Sequence, residues 1–247
     1  MGQHIRRTFI PDEIKMSALA RLAGRVGHDI NNILGAIEGY ATLTASAFTD
    51  GHQVKEDMHE IRRAVGAATE LMKQLLVFSR KTAIKPGPCD LGVILSALPQ
   101  KLQASGWAAA DISVTIGEGL PAVTADSAGI ERALLNLVEN AREAAPGGKI
   151  TVKAAVVPRE SASEPGFVKL SVEDTGPGLP AEVMERLFEP FFSTKEKGRG
   201  SGPGLGLAYV YGVVMQHKGR VQAESAPGCG SEFSFFLPLP PGGIEGG

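Results

Sequence analysis

Between positions 11 and 48, Leu19, Leu22, Val26, Ile30, Ile33, Ile37, Tyr40, Thr44 and Phe48 recur every three or four places. That spacing lays one stripe along a helix and does not fit the alternation of a strand. Gly24, Gly27, Gly35 and Gly39 interrupt the same stretch. Each weakens a helix by roughly 1 kcal/mol relative to Ala, so packing has to hold the helix together. The turn residues Thr49, Asp50, Gly51, His52 and Gln53 come next, and a second stripe runs through Val54, Met58, Ile61, Val65, Ala68, Met72 and Leu75. This predicts a helical hairpin. A lone hairpin covers one face only, whereas two hairpins close a four-helix bundle, so a homodimer through these helices is expected.

Past Lys85-Pro86-Gly87-Pro88 the pattern changes, and the charge balance turns from positive to negative. Two prolines and a glycine stop any helix arriving from upstream. Helices are predicted over 92–104, 127–145 and 205–217, and strands over 112–116, 150–157, 167–173, 220–225 and 231–237. Strands and helices in unequal groups argue for an α+β unit with helices on one face of a mixed sheet. The expected division is a short leader at 1–11, the hairpin at 12–80, a linker at 81–89, a second domain at 90–240 and a flexible tail at 241–247.

Composition narrows the class. A chain of 247 residues with 43% hydrophobic and 21% charged residues and a formal net charge of -2 is neither disordered nor a strongly basic nucleic-acid binder. No apolar run reaches spanning length and no secretion signal opens the chain, so a cytoplasmic protein without membrane insertion is expected. Cys89 and Cys229 are too few for a disulfide framework or a four-ligand zinc site.

His28 lies two residues from both Val26 and Ile30, which at about 100° per residue points it away from the stripe. Arg21, Arg25 and Asn32 share its face, and Asp29 is next to it. A lone exposed His is ordinarily a solvated surface residue. Here an adjacent carboxylate can fix its tautomer and raise the nucleophilicity of the other ring nitrogen, while an amide one turn on can hold a water in line with a phosphoryl group. His4 in the leader, His52 in the turn, and His59 and His217 on helix positions expected to be exposed have no such neighbours.

The second domain has neither a GxxxxGK[ST] loop nor a strand-borne GxGxxG, so a nucleotide has to be held another way. Asn136 and Asn140 lie four apart on one helix face, where amide oxygens suit Mg²⁺, although Asn pairs are often mere surface or capping residues. Asp174-Thr175-Gly176-Pro177-Gly178 ends an apolar strand and fits either a tight turn or a carboxylate receiving an exocyclic amine, with glycines letting a ring lie near backbone. Leu187 to Lys195 puts Phe188, Phe191 and Phe192 before a polar glycine-rich stretch, the pattern of a latch for a lid. Gly202-Pro203-Gly204-Leu205-Gly206-Leu207 opens a helix whose free amides suit phosphates.

In this order the motifs resemble those of bacterial two-component sensor histidine kinases, over about residues 15–238. His28-Asp29-Ile30-Asn31-Asn32 is similar to the HDxNN phosphoacceptor box of the nitrogen-regulation and hybrid-kinase branch. Asn136/Asn140, Asp174/Gly176/Gly178, Phe188 to Phe192 and Gly202 to Gly206 resemble the family's N, G1, F and G2 boxes. The resemblance implies a dimeric phosphotransfer hairpin and a Bergerat-type (GHKL) ATP-binding sandwich. It implies His28 as phosphoacceptor, Asp29 as acid/base and Asn32 as a catalytic neighbour. It further implies Asn140 as Mg²⁺ ligand, Asp174 as adenine contact, Lys195 as phosphate contact, and Asn136, Gly176, Gly178, Gly202, Gly204, Leu205 and Gly206 around the nucleotide. The implied partners are a response regulator receiver domain and a separate sensor input or upstream domain. Pro203 stands where the family usually has Thr or Ser, which removes one donor and one hydroxyl. Two other readings fit parts of the chain: a non-catalytic histidine phosphotransfer or scaffold protein, and a GHKL-type ATPase needing no His28-Asp29 pair.

Overall fold

The computed structural model describes residues 6–47, 52–104, 106–107, 112–158, 166–194 and 203–240. Lys195 and Gly202, the expected lid, most of the turn at 49–53 and the tail at 241–247 lie outside them.

Pro11 and Asp12 start the first helix, α1 (Glu13–Ala47). The Asp12 carboxylate accepts from the amides of Ile14 (2.8 Å) and Lys15 (3.0 Å), satisfying donors that have no helical partner. Helix α2 (His52–Phe78) returns antiparallel to α1, and just past its end Arg80, at a left-handed φ of 58°, donates its N–H to the Val77 carbonyl. Gly27 makes the close approach of the two helices possible: a Cβ there would meet Leu76 at 3.2 Å. Arg62 of α2 pairs with Glu38 of α1 at 2.7 Å.

The apolar stripe is not what α1 buries within the protomer. Its inward face consists of Met16, Ala20, Ala23, Gly27 and Ala41, while Leu22, Val26, Ile33, Ile37 and Tyr40 are exposed, Tyr40 by 74%. Small residues let α2 come close, and the larger ones form a second face pointing elsewhere.

The second unit is a two-layer α/β sandwich. Strand β2 (Gly87–Cys89) pairs with β4 (Val123–Ala125) in a small antiparallel sheet, so the last third of the expected linker is a strand. Between them come α3 (Leu91–Ala104) and β3 (Ile112–Ile116). The remaining elements are α4 (Ser127–Ala144), β5 (Ile150–Val157), β6 (Phe167–Asp174), the single turn α5 (Ala181–Met184), α6 (Gly206–Gln216), β7 (Arg220–Ser225) and β8 (Ser231–Pro238). The main sheet has six strands in the order β1-β7-β8-β6-β5-β3; β3 and β5 run parallel and the other pairs antiparallel. Alternate residues such as Val152, Leu170, Val172 and Phe235 are buried with Ile130, Leu134, Val138 and Val214 of α4 and α6. The opposite face carries ion pairs, Lys153–Glu173 and Lys169–Glu232 among them. Period-two burial of this kind is what one covered face produces.

The sixth strand, β1 (Arg7–Phe9), corrects the expectation of a bare leader. It lies on the far edge of this sheet, with Arg7 opposite Ser225 and Phe9 opposite Ala223. Arg6 ties it down by donating to Glu173 (2.9 Å) and to the carbonyl of Cys229 (2.7 Å).

The base of the hairpin packs on the sandwich. Phe78 meets Tyr211 at 5.9 Å between ring centroids, and a Cβ on Gly212 would come within 2.5 Å of the Phe78 Cα. Phe188 touches both Phe9 and Tyr211. Lys15 of α1 pairs with Glu189 at 2.6 Å; burial raises the Glu189 carboxyl, but Lys15 and Arg186 hold it below the usual range. Among the described residues, no helix is long and apolar enough to cross a membrane.

Candidate functional site

Asn136 and Asn140 sit one turn apart on α4, and both line a cleft of about 180 Å³ closed by Pro203, Gly204, Leu205 and Gly206 at the start of α6. Asn136 is buried, and its Nδ2 has no hydrogen-bond partner. Gly206 abuts both amides, a Cβ there lying 3.7 Å from Asn136 Oδ1 and from Asn140 Nδ2. Helix α6 begins without a side-chain cap, and its first residue, Gly206, lines the cleft, so the uncapped start of the helix lies at the cleft wall. Gly204, at φ 72°, is forced by contact: a Cβ would come within 2.6 Å of the Phe192 carbonyl oxygen. Its own carbonyl accepts from Phe191 N–H at 2.9 Å. Of the three latch aromatics, Phe188 is buried, Phe192 lies beneath Arg186 and Phe191 is 59% exposed.

Asp174 ends β6 and is only 1% exposed. Its Oδ1 accepts from Gly176 N–H at 2.8 Å, while Oδ2 is buried with no partner. Burial pushes this carboxyl above the ordinary aspartate range, against the backbone donors of Gly176 and Ser231. A buried acceptor without a donor is costly, and a ligand amine would relieve it. The nearby glycines have a more local reason than room for a ring. A Cβ on Gly176 would come within 2.8 Å of the Ala144 carbonyl oxygen, and one on Gly178, at φ 70°, would overlap that of Ala226. Asp174 does not line the cleft; α4 connects the two, with Asn136 and Asn140 at the cleft and Ala144 against Gly176.

On α1, His28 and Asp29 are exposed. Asp29 Oδ1 lies 3.4 Å and Asn32 Nδ2 3.5 Å from the same imidazole atom, Nδ1. These long contacts are alternatives. Asp29 engages the tautomer with a proton on Nδ1, which leaves the lone pair on Nε2, and Asn32 engages the other.

His217 is not the exposed residue expected from the sequence. It is buried, with Nε2 accepting from Asp126 N–H (2.8 Å) and Nδ1 donating to the Val213 carbonyl (2.8 Å). A backbone donor facing Nε2 and a backbone acceptor facing Nδ1 fix the orientation of the ring. Asp126 in turn caps α4 through Gly129 N–H (3.2 Å) and receives Lys85 N–H (2.9 Å), so His217 braces structure. His59 is exposed.

Sequence reasoning also missed cleft residues. Arg132 is one turn before Asn136 and Glu139 just before Asn140, so extending the helical face by a turn would have found them. Leu71 and Gln74, which α2 contributes to the cleft, left no signal because interdomain packing is not periodic.

Residues 125–241 match the family described as histidine kinase-, DNA gyrase B-, and HSP90-like ATPase. Over 91% of its length the chain is 37% identical to the sensor kinase CckA of Brucella abortus, covering 24% of that protein. It is also 37% identical to the sensor histidine kinase ZraS of Klebsiella oxytoca, over 91% of this chain and 47% of that one. The chain thus spans about a quarter to a half of these curated relatives. Among solved structures, full-length ShkA in complex with AMPPNP superposes with a TM-score of 0.63 at 25% identity, over 88% of this chain and 45% of that chain. With the hairpin, the sandwich and the ordered motifs in place, the chain is similar over nine-tenths of its length to parts of sensor histidine kinases, and residues 125–241 form an ATPase-type domain of the matched family.

Proposed function

We propose that this core autophosphorylates on His28 from ATP and passes the phosphoryl group to an aspartate of a response regulator receiver domain, whose dephosphorylation it also promotes. The observation that carries the reading is the exposed His28 imidazole with Asp29 at Nδ1. With the proton on Nδ1, the Nε2 lone pair forms a bond to the γ-phosphorus while the bond from that phosphorus to the β,γ-bridging oxygen breaks and ADP leaves. The Nδ1 proton passes to Asp29, neutralising the ring. In the second step the N–P bond breaks as an aspartate oxygen takes the phosphoryl group. Asn32 would then orient a water toward the phospho-aspartate.

The nucleotide pocket fits this role. The unpaired Asp174 Oδ2 would accept from the adenine amine, and the Asn136 amide and the uncapped start of α6 would meet the phosphates. Lys195 and Gly202 would complete the lid. Mg²⁺, when bound, would neutralise phosphate charge; Asn140, an amide at the cleft wall, would hold it. His28 is not among the cleft residues, so the sandwich has to move on the 81–89 segment for transfer. The exposed α1 stripe fits a homodimer, and dependence on ATP and a receiver fits the cytoplasm, with input from a separate or upstream sensor.

Incubation with γ-labelled ATP tests the reading. Acid-labile label is expected on the wild type and none on His28→Gln, with ATP binding unchanged; label persisting in His28→Gln would exclude the assignment. Asp29→Asn is expected to slow labelling by about 100-fold at unchanged ATP affinity.

A further inference from the structure

One wall of the cleft comes from outside the sandwich: Leu71 and Gln74 of α2. Arg132 is the sole cation among the described residues that line the cleft, alongside the carboxylates of Glu139 and Glu143. It is turned toward the hairpin, with Nη2 lying 3.9 Å from Oε1 of Glu70 on α2 and both side chains about half exposed. A polyphosphate entering beside two carboxylates needs this guanidinium, and Glu70 is the competing anion.

Building on the nucleotide reading above, we infer that Arg132 is a positioning residue shared between two anions: Glu70 when the cleft holds no triphosphate, and the terminal phosphates when it does. A half-exposed pair at this separation is worth at most about fivefold in an equilibrium. A terminal phosphoryl group carries more charge and accepts two parallel N–H bonds from a guanidinium, so it wins the exchange. The exchange takes from α2 its ionic hold on α4. Triphosphate arrival therefore loosens the docked arrangement that keeps the sandwich from His28, whereas a monophosphate does not.

Calorimetry on the full chain with β,γ-imido ATP and with AMP tests this on wild type, Glu70→Gln, Arg132→Gln and the double variant. Glu70→Gln should tighten the triphosphate analogue about two- to fivefold, and Arg132→Gln should weaken it about tenfold. Neither should change AMP binding, and the double variant should match Arg132→Gln alone. Both side chains are at the surface, so thermal melts should overlay the wild type. Tightening by Glu70→Gln that persists without Arg132, equal effects on AMP, or no effect of either substitution overturns the inference. Asp174→Asn separates the two levels. If it weakens binding by about tenfold while Arg132 has no influence, the switch fails and the nucleotide site stands; if it leaves binding unchanged, the nucleotide reading itself fails.

Discussion

The sandwich and the hairpin use their large apolar side chains in opposite ways. In the sandwich, Leu91, Leu95, Ile130, Leu134, Leu170 and Phe235 are fully buried within one protomer, under helices that lie on a sheet. In the hairpin, Met16, Met72, Leu75 and Phe78 join the sandwich core, but Ala20, Ala23, Ala41 and Val65 are the other buried apolar positions, and the bulky Leu22, Ile33, Ile37, Tyr40 and Leu43 are exposed. The first region completes its own core. The second leaves its main apolar surface uncovered within the protomer; on the proposed reading a second copy covers it, so that the helix carrying His28 would depend on concentration while the sandwich would not.

The sharpest way to break this contrast is Ile33→Glu with Ile37→Glu. Two carboxylates per protomer in an apolar seam should raise the dimer dissociation constant by more than about 100-fold, since each uncompensated charge costs several kcal/mol on burial. Sedimentation should show a monomer with ATP affinity intact; a dimer unchanged in size would refute the contrast.

Asp174→Asn probes the self-sufficient core. Replacing an acceptor by an amide that can present a donor should weaken ATP by about tenfold, from a mismatch of roughly 1–3 kcal/mol. The same change should raise the melting temperature of the free protein at neutral pH by about 2–4 °C per kcal/mol recovered. The sign follows from the raised pKa. Stability linked to Asp174 is full below the unfolded value of 3.8 and falls as pH rises through the higher folded value. A pH–stability curve of Asp174→Asn should lack that fall, and identical curves would rule the carboxylate out as its cause.

The mildest test stays on the hairpin surface. Asn32→Ala should leave dimerisation, melting and autophosphorylation near wild type while slowing regulator dephosphorylation by about fivefold, measured as decay of labelled receiver. Unchanged decay, where the wild type has the activity, would remove Asn32 from that role.

Much of this was legible in the chain because helical stripes and strand alternation survive tertiary context. The hairpin helices and the strands 112–116, 150–157 and 220–225 fall where periodicity places them. The direction of the α1 stripe was not legible, since amphipathicity marks a face that seeks cover without saying whose cover it is. Strand β1 is three residues, too short to show alternation, and its partner lies at the other end of the sequence. His217 carried an overlooked signal: Leu207 to Met215 is apolar all round, and a residue ending a helix with no wet side is buried. At the site, Asp174, Asn136 and Asn140 were readable as motifs, but the α2 wall was not, because it arises from docking.

The edge strand β1 gives the sandwich two attachments to the hairpin, the 81–89 segment and the short run from Phe9 to Glu13. A body held at one point swivels; a body held at two turns about the line joining them. While β1 stays zipped to β7, the sandwich has one hinge axis, and any pull on residues ahead of Arg7 loads the sheet edge before it reaches α1. Unzipping three residue pairs restores the remaining rotations, so the freedom of the sandwich is set at a place remote from both His28 and the cleft.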